Sequence, residues 1–240
     1  MTVRTWVIIG ATSIIAEEFA HCAAKEGNAL RLVGRDQEQL NLIARDIELR
    51  YQVPCDIAIM DMTQPASTLL TVLKPDKQEL DLFIAHSDFT GNNHLTVESI
   101  TQLVQVNILA TTLLIQAYLD RCQSMHHLLF LSSVAACRGR AKNSLYGGSK
   151  AAIEVYLQGL QQSATKSQHI SIARLGFIDT RQTFGLPGIF HAAQPKDCAK
   201  ACWIAVNKNK RLIYFPNFWR AIMAVITRIP FFIYKRMGSV

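Results

Sequence analysis

The chain has six cysteines but no C-x-x-C pair and no secretory signal ahead of them. That excludes a disulfide framework and leaves reduced cytosolic thiols as the reading. Cys198 with Cys202, and His126 with His127, lack convincing ligand spacing, so no metal site is expected. There is no internal repeat, low-complexity segment or interdomain linker, and a 240-residue chain that is 50% hydrophobic is expected to bury one core. Acidic residues are missing altogether from Lys208 onward. There Lys208, Lys210, Arg211, Arg220, Arg228, Lys235 and Arg236 account for the whole net charge of +7, since the rest of the chain is balanced. A charge confined to the tail excludes a diffuse nucleic-acid-binding surface. The tail also lacks the uninterrupted apolar stretch of about twenty residues that spans a bilayer, because Arg220, Arg228 and Pro230 interrupt it.

What is present is an alternation of short apolar, β-branched runs with helical stretches. The runs "TWVIIG", "ALRLVG", "CDIAIMD", "LDLFIAH", "HLLFLSS", "ISIARLG" and a late "RLIYFP" read as strands covered on both faces. Helices are expected over 14–26, 37–50, 100–122, 146–166 and 195–207. This order predicts an α/β doubly wound parallel sheet with right-handed crossovers, of the Rossmann type. The division expected is a nucleotide-binding domain over 1–210 and a basic, apolar C-terminal tail over 211–240. The irregular segment 179–195 has the length of a lid, with Phe184, Leu186 and Phe190 as its candidate apolar lining.

The first strand runs into "VIIGATSIIAEEFA", where a phosphate-cradling turn would be rich in glycine. Only Gly10 is there; Ile14 and Ala16 stand where further glycines are usual. Phosphate binding survives this change in principle, because the N–H groups of Ile14 and Ile15 open a helix and Thr12 and Ser13 add hydroxyls. A capped helix start without ligand is the plain alternative.

The segment "LSSVAACRGRAKNSLYGGSKAAIEVY" carries the chemistry. Tyr146 and Lys150 are four apart at the start of a helix and project from one face. An ammonium close to a phenol would favour the phenolate and lower a pKa that is about 10 when unperturbed. Ser133 closes the preceding strand and can offer a hydroxyl to the same substrate oxygen. In this setting the sequence resembles a short-chain dehydrogenase/reductase over nearly its whole length. The resemblance implies that Ser133, Tyr146 and Lys150 are catalytic, with Asn107 of "VNILATTLL" as fourth member, its backbone carbonyl holding a water that links the lysine to solvent. It implies cofactor contacts at Gly10, Thr12, Ser13, Ile14, Ile15, Asp61, Met62, Ala85, Tyr146, Lys150, Ile178 and Thr180. "IAHSD" departs from the family's Asn-Asn-Ala-Gly stretch, and Leu175 replaces its usual proline.

Cofactor choice turns on "LVGRD". Gly34 occupies the position where NAD-type relatives carry an acid, and Arg35 follows with a planar fork suited to a 2′-phosphate. NADP is expected over NAD, with Asp36 as the counterargument. The tail "YFPNFWRAIMAVITRIPFFIYKRM" has a basic edge and a broad apolar face, bent near Pro230. Two readings stay open: a helix lying in an anionic membrane interface, or a helical pair packed on the body or on a dimer partner. Together with "SSVAACRGRAKNSLYGGSKAA" and "GATS", the tail resembles a narrower group, the decaprenylphosphoryl-2-keto-ribose reductases. That implies a ketone on a lipid-linked sugar or other membrane-delivered carrier, a flavin oxidase partner, and a cytoplasmic placement on the inner face of the membrane. Arg138 and Arg140 match basic positions in that group. The family resemblance implies a homodimer or homotetramer. A soluble ketoreductase of small or acyl-linked ketones, and a non-catalytic nucleotide-binding regulator, remain as alternatives.

Overall fold

The computed structural model describes residues 4–73, 79–180 and 192–237. Seven strands form one sheet in the order β3-β2-β1-β4-β5-β6-β7. They are β1 (Thr5–Ile9), β2 (Ala29–Gly34), β3 (Cys55–Ile59), β4 (Leu80–Ile84), β5 (His126–Ser133), β6 (Gln168–Leu175) and β7 (Leu212–Phe215). Every adjacent pair is parallel. The order reverses between β1 and β4, which opens a crevice at the carboxyl ends of the central strands.

Helices cover both faces because the central strands are apolar on both. On one side α1 (Ile14–Lys25), α2 (Gln37–Tyr51) and, later in the chain, the helix Pro195–Asn207 close over Trp6, Ile8, Leu32 and Phe83. Trp6, Phe19 and Phe83 interlock there, with ring centroids 5.1 and 4.2 Å apart along the series. A short helix α3 (Ala66–Leu69) follows β3, and α4 (Val97–Val104) and α5 (Thr111–Leu119) follow β4. With α6 (Ser144–Ser163) they bury the other face over Val7, Leu82, Ile84 and Phe130. The helix Pro195–Asn207 is α7.

Between α4 and α5 the helix widens into a π turn over Gln105–Ala110, with Asn107 inside it. The tail beyond β7 forms α8 (Trp219–Ile226) and α9 (Phe231–Tyr234), separated by the bend at Pro230. Since β7 pairs with β6, the boundary expected after residue 210 moves to Pro216, where the chain leaves the sheet. The helical pair packs on the body. Trp219 fills the space that a side chain at Gly176 would need, its indole nitrogen lying 1.9 Å from the position a Cβ would take there. Met223 is buried, and the Tyr234 hydroxyl donates to the Gly139 carbonyl at 2.8 Å.

Candidate active site

Loops at the carboxyl ends of β1 to β6 carry most of the candidate residues. Gly10 begins the first loop with φ +80°, and a Cβ there would come within 2.7 Å of the His86 backbone. Only glycine lets the β1 and β4 loops approach this closely. Ser13 is the N-cap of α1 and makes no side-chain capping bond. The turn therefore presents the helix's first N–H groups, at Ile14 and Ile15, with the hydroxyls of Thr12 and Ser13 beside them.

At the end of β2, Arg35 is exposed and faces Asp61 at 4.0 Å. Asp36 caps α2, accepting a hydrogen bond from the Gln39 N–H at 3.0 Å, so its carboxylate serves the helix. Asp61 accepts from the N–H and the hydroxyl of Thr63, both at 2.8 Å. Those bonds, with the nearby Arg35 charge, lower its pKa. Its Oδ1 is thus committed to a local turn, and Oδ2 is the oxygen that faces Arg35. Met62 is buried in the core, which leaves its backbone as the part that can meet a ligand. Ala85 continues β4, its N–H donating to the Ile9 carbonyl at 2.9 Å. Ile178 is buried and forms an isolated bridge with Ala193, while Thr180 ends the described part of that loop. Phe184, Leu186 and Phe190 lie outside the described residues.

The tetrad candidates converge from β5, α6 and the π turn. The Tyr146 phenol stands near the hydroxyls of Ser133 and Ser87, which lower its pKa together with the Arg140 charge, while burial raises it more and leaves the net value above normal. Phe89 packs edge-on against the phenol ring, centroids 5.1 Å apart. Ser133 also accepts from the Ala135 N–H at 3.1 Å. Asn107 is buried and clamps Asp88: its Oδ1 accepts from the Asp88 N–H at 2.7 Å and its Nδ2 donates to the Asp88 carbonyl at 2.9 Å. The same Nδ2 donates to Ser149 Oγ at 3.0 Å, and Ser149 donates to the Tyr146 carbonyl at 2.8 Å.

Lys150 departs from the expectation that its ammonium acidifies the phenol. Its Nζ donates to the Leu131 carbonyl at 2.9 Å and lies 4.7 Å from the Phe130 ring centroid. The charges acting on Tyr146 include Arg140 and not Lys150. Sharing a helix face brought the two side chains to the same loop, but the long lysine chain turned back along β5. Burial pulls its pKa down to about 7, opposed by the Glu154 carboxylate one turn farther along α6.

Three residues outside the sequence reading shape this site. Ser87 and Phe89 approach Tyr146 from the β4 loop; the departure of "IAHSD" from the family pattern was a signal for Ser87, and Phe89, just beyond it, had none. His86 is half-buried: its Nε2 bonds the Val106 carbonyl at 3.1 Å and the Thr111 hydroxyl at 3.0 Å. Burial, and then the Lys150 charge, hold its pKa down to about 4, so the imidazole stays neutral beside the lysine. No cluster of metal-ligating side chains occurs among the described residues.

The arrangement is a proton-donating phenol flanked by two hydroxyls at the edge of a dinucleotide-type crevice. The short chain dehydrogenase family model matches residues 4–184. An uncharacterized oxidoreductase of Staphylococcus saprophyticus is 27% identical over 211 residues, spanning 84% of this chain and 90% of that relative. One from Staphylococcus aureus strain USA300 is 25% identical, spanning 88% and 94%. Among solved structures, a short-chain dehydrogenase from Sphingobium yanoikuyae in complex with NADPH superposes with a TM-score of 0.82 at 21% identity, covering 95% of this chain and 96% of that one. A bulky-bulky ketone specific alcohol dehydrogenase from Comamonas testosteroni gives 0.80 at 20% identity, covering 96% of each. The chain belongs to the short chain dehydrogenase family and is an NAD(P)-dependent oxidoreductase of that family.

Proposed function

We propose that this protein uses NADPH to reduce a ketone to a secondary alcohol, and that the ketone is delivered from a membrane surface, as on a lipid-linked sugar. The observation that carries the reduction is the Tyr146 phenol standing near the Ser133 hydroxyl at the crevice. The donor set fits a 2′-phosphorylated dinucleotide: a helix N-terminus with free N–H groups, an exposed Arg35 at the β2 end, and an Asp36 already used as a cap. The related Sphingobium structure holds NADPH and the Comamonas enzyme is named for ketones, which supports the same choice.

NADPH, when bound, supplies the hydride. The chain's own residues handle the proton and the geometry. Ser133 and Tyr146 converge on the carbonyl oxygen, which orients it and stabilises charge developing there. Tyr146 then gives its proton to that oxygen. A pKa raised by burial keeps the phenol protonated at neutral pH, which suits a general acid. Lys150 and the neutral His86 lie behind it, and Asn107 holds the β4 loop in place through Asp88.

Membrane delivery rests on the tail. Phe231, Phe232 and Val225 are 72%, 68% and 64% exposed, and Arg220, Arg228, Lys235 and Arg236 surround them without an acid. A basic rim around exposed aromatics suits an anionic interface. Self-association is supported by a second apolar stripe on the helix after β4, where Val97 and Leu109 are 75% and 52% exposed.

The test is NADPH oxidation across a ketone panel that includes lipid-linked sugars. Tyr146→Phe should lower turnover at least 100-fold, within the range general acids supply, with NADPH affinity unchanged within threefold. Undiminished turnover in Tyr146→Phe would overturn the catalytic assignment.

A further inference from the structure

Two helices of this fold open on caps of their own. Asp36 accepts the Gln39 N–H ahead of α2, and Thr96 accepts the Ser99 N–H ahead of α4. The helix that carries Tyr146 and Lys150 is built differently. Asn143, the residue at the N-cap of α6, makes no side-chain capping bond, and its ψ of 47° lies outside the β region usual at that position.

The cap comes from the β4 loop instead. Asn92 Oδ1 accepts the Ser144 N–H at 3.0 Å, one of the donors that the first turn of a helix leaves over. Its Nδ2 donates to the Ala141 carbonyl at 2.7 Å and to the Ser144 hydroxyl at 2.8 Å. The Asn92 backbone N–H donates to the Lys142 carbonyl at 2.9 Å. Both amide hydrogens and the amide oxygen are thereby used. The reverse orientation of the amide would set its oxygen against the Ala141 carbonyl, so the partners themselves assign it.

What this clamp joins matters for the phenol. Ser87 and Phe89 approach Tyr146 from the β4 loop, while Tyr146 follows Ser144 by two positions on α6. The β4 loop is fastened twice: at Asp88, whose N–H and carbonyl bond Asn107, and at Asn92, which bonds the start of α6. Phe89 lies between those two anchors. Releasing the second would leave the wall beside the phenol tied at one end and would uncap the phenol's own helix.

We propose that Asn92 is a positioning residue for the reduction, capping α6 from the β4 loop and so holding the Tyr146 phenol beside Ser87 and Ser133. It acts through Tyr146. The inference rests on the reductase reading for the meaning of Tyr146, but its deciding measurement needs no turnover, so each can fail alone.

Ultraviolet titration of tyrosinate in the full chain, each protein with its own Tyr146→Phe version subtracted, reads the phenol. Burial is the larger influence on it, opposed by Ser87, Ser133 and the Arg140 charge. A released clamp admits water and brings the titration down toward the ordinary value of about 10. Asn92→Ala, which loses all three side-chain bonds, should therefore titrate at lower pH than the parent. Ser144→Ala, which loses one of them, should move the same way by less. The control Thr96→Ala breaks the cap of α4, a change of similar cost to stability, and should leave the phenol where it is. NADP⁺ affinity unchanged within twofold shows an intact fold; were it lost in Asn92→Ala, Ser144→Ala decides. On the ketone that the parent reduces fastest, Asn92→Ala should lower kcat about tenfold with KM unchanged within twofold, short of the ~100-fold that a 1 Å misplacement can cost. A phenol that titrates as in the parent, an equal shift in Thr96→Ala, or a shifted phenol with kcat unchanged would overturn the proposal. A parent inert toward every ketone would overturn the reductase reading, and the titration then still decides whether Asn92 holds the phenol.

Discussion

Glu154 stands one helical turn beyond Lys150 on α6, and its carboxylate is what opposes the desolvation of the Lys150 ammonium. Both side chains are buried, at 4% exposure for Lys150 and 2% for Glu154. Glu154 also receives Arg174 in a bidentate pair, Nε at 2.8 Å and Nη2 at 2.5 Å on the same oxygen, with Nε reaching the other at 3.1 Å. The network reaches Tyr214 through Arg174 and holds the edge of the sheet to α6.

A lysine whose folded pKa falls to about 7 from an ordinary 10.5 makes stability depend on pH in a definite direction. Below about pH 7 the group is charged in both states and the full desolvation penalty applies. Between about 7 and 10.5 the unfolded chain binds the extra proton, so stability rises with pH. Comparing the protein with Lys150→Met by thermal unfolding isolates this group. The stability difference should shift in favour of the lysine protein as pH climbs through that window, and a flat difference would place the ammonium in a wetter site.

Ser87 offers a second hydroxyl to the phenol. Removing it in Ser87→Ala should raise the Tyr146 pKa further, because burial then acts with less opposition. Ultraviolet titration of tyrosinate, with Tyr146→Phe subtracted, reads that shift directly. Turnover should fall about fivefold, matching the ~1 kcal/mol of one hydrogen bond. A phenol pKa that does not move would leave Ser87 as packing alone.

Arg35 is exposed and pairs with Asp61 only at 4.0 Å, so it is available to an incoming phosphate. Arg35→Ser should weaken NADPH binding by about tenfold, the scale of a hydrogen bond to a charged group, and leave NADH within twofold. Fluorescence titration with the two nucleotides gives the ratio. Equal weakening of both would make Arg35 a general support of the loop.

Phe231 and Phe232 present the largest exposed aromatic surface of the tail. Fully burying a phenylalanine is worth ~1.5–3 kcal/mol, so Phe231→Ser/Phe232→Ser should reduce binding to vesicles containing anionic lipid by at least tenfold. Binding of the unaltered protein should also weaken as salt rises. Co-sedimentation with anionic and zwitterionic vesicles measures both effects, and no preference for the anionic ones would remove the basic rim from the account.

The parallel sheet was legible because its strands are short apolar runs; β2 covers the residues of "ALRLVG" end to end. Spacing also predicted that Tyr146 and Lys150 begin one helix. What spacing does not contain is the direction of a long side chain, and Lys150 found a carbonyl on β5 instead of the phenol. The π turn was hidden for a related reason. His86 and the Thr111 hydroxyl both use the Val106 carbonyl, the latter at 3.3 Å, and Asn107 is drawn to Asp88, partners that exist only once β4 lies beside the helix. Ser87 and Phe89 stand opposite Tyr146 through that same clamp, so no local pattern could announce them. The tail's two faces were readable as amphipathic, but its docking depends on a vacancy at Gly176 that only the fold creates.

Trp219 seated over Gly176 makes the last stretch of this chain a poor subject for grafting. A chimera that exchanged the tail for that of a relative would also remove the contacts Tyr234 makes with Gly139 and Arg138 in the loop after β5. The tail and the loop after β5 are therefore expected to change together in descendants of this protein, as linked characters rather than separable ones.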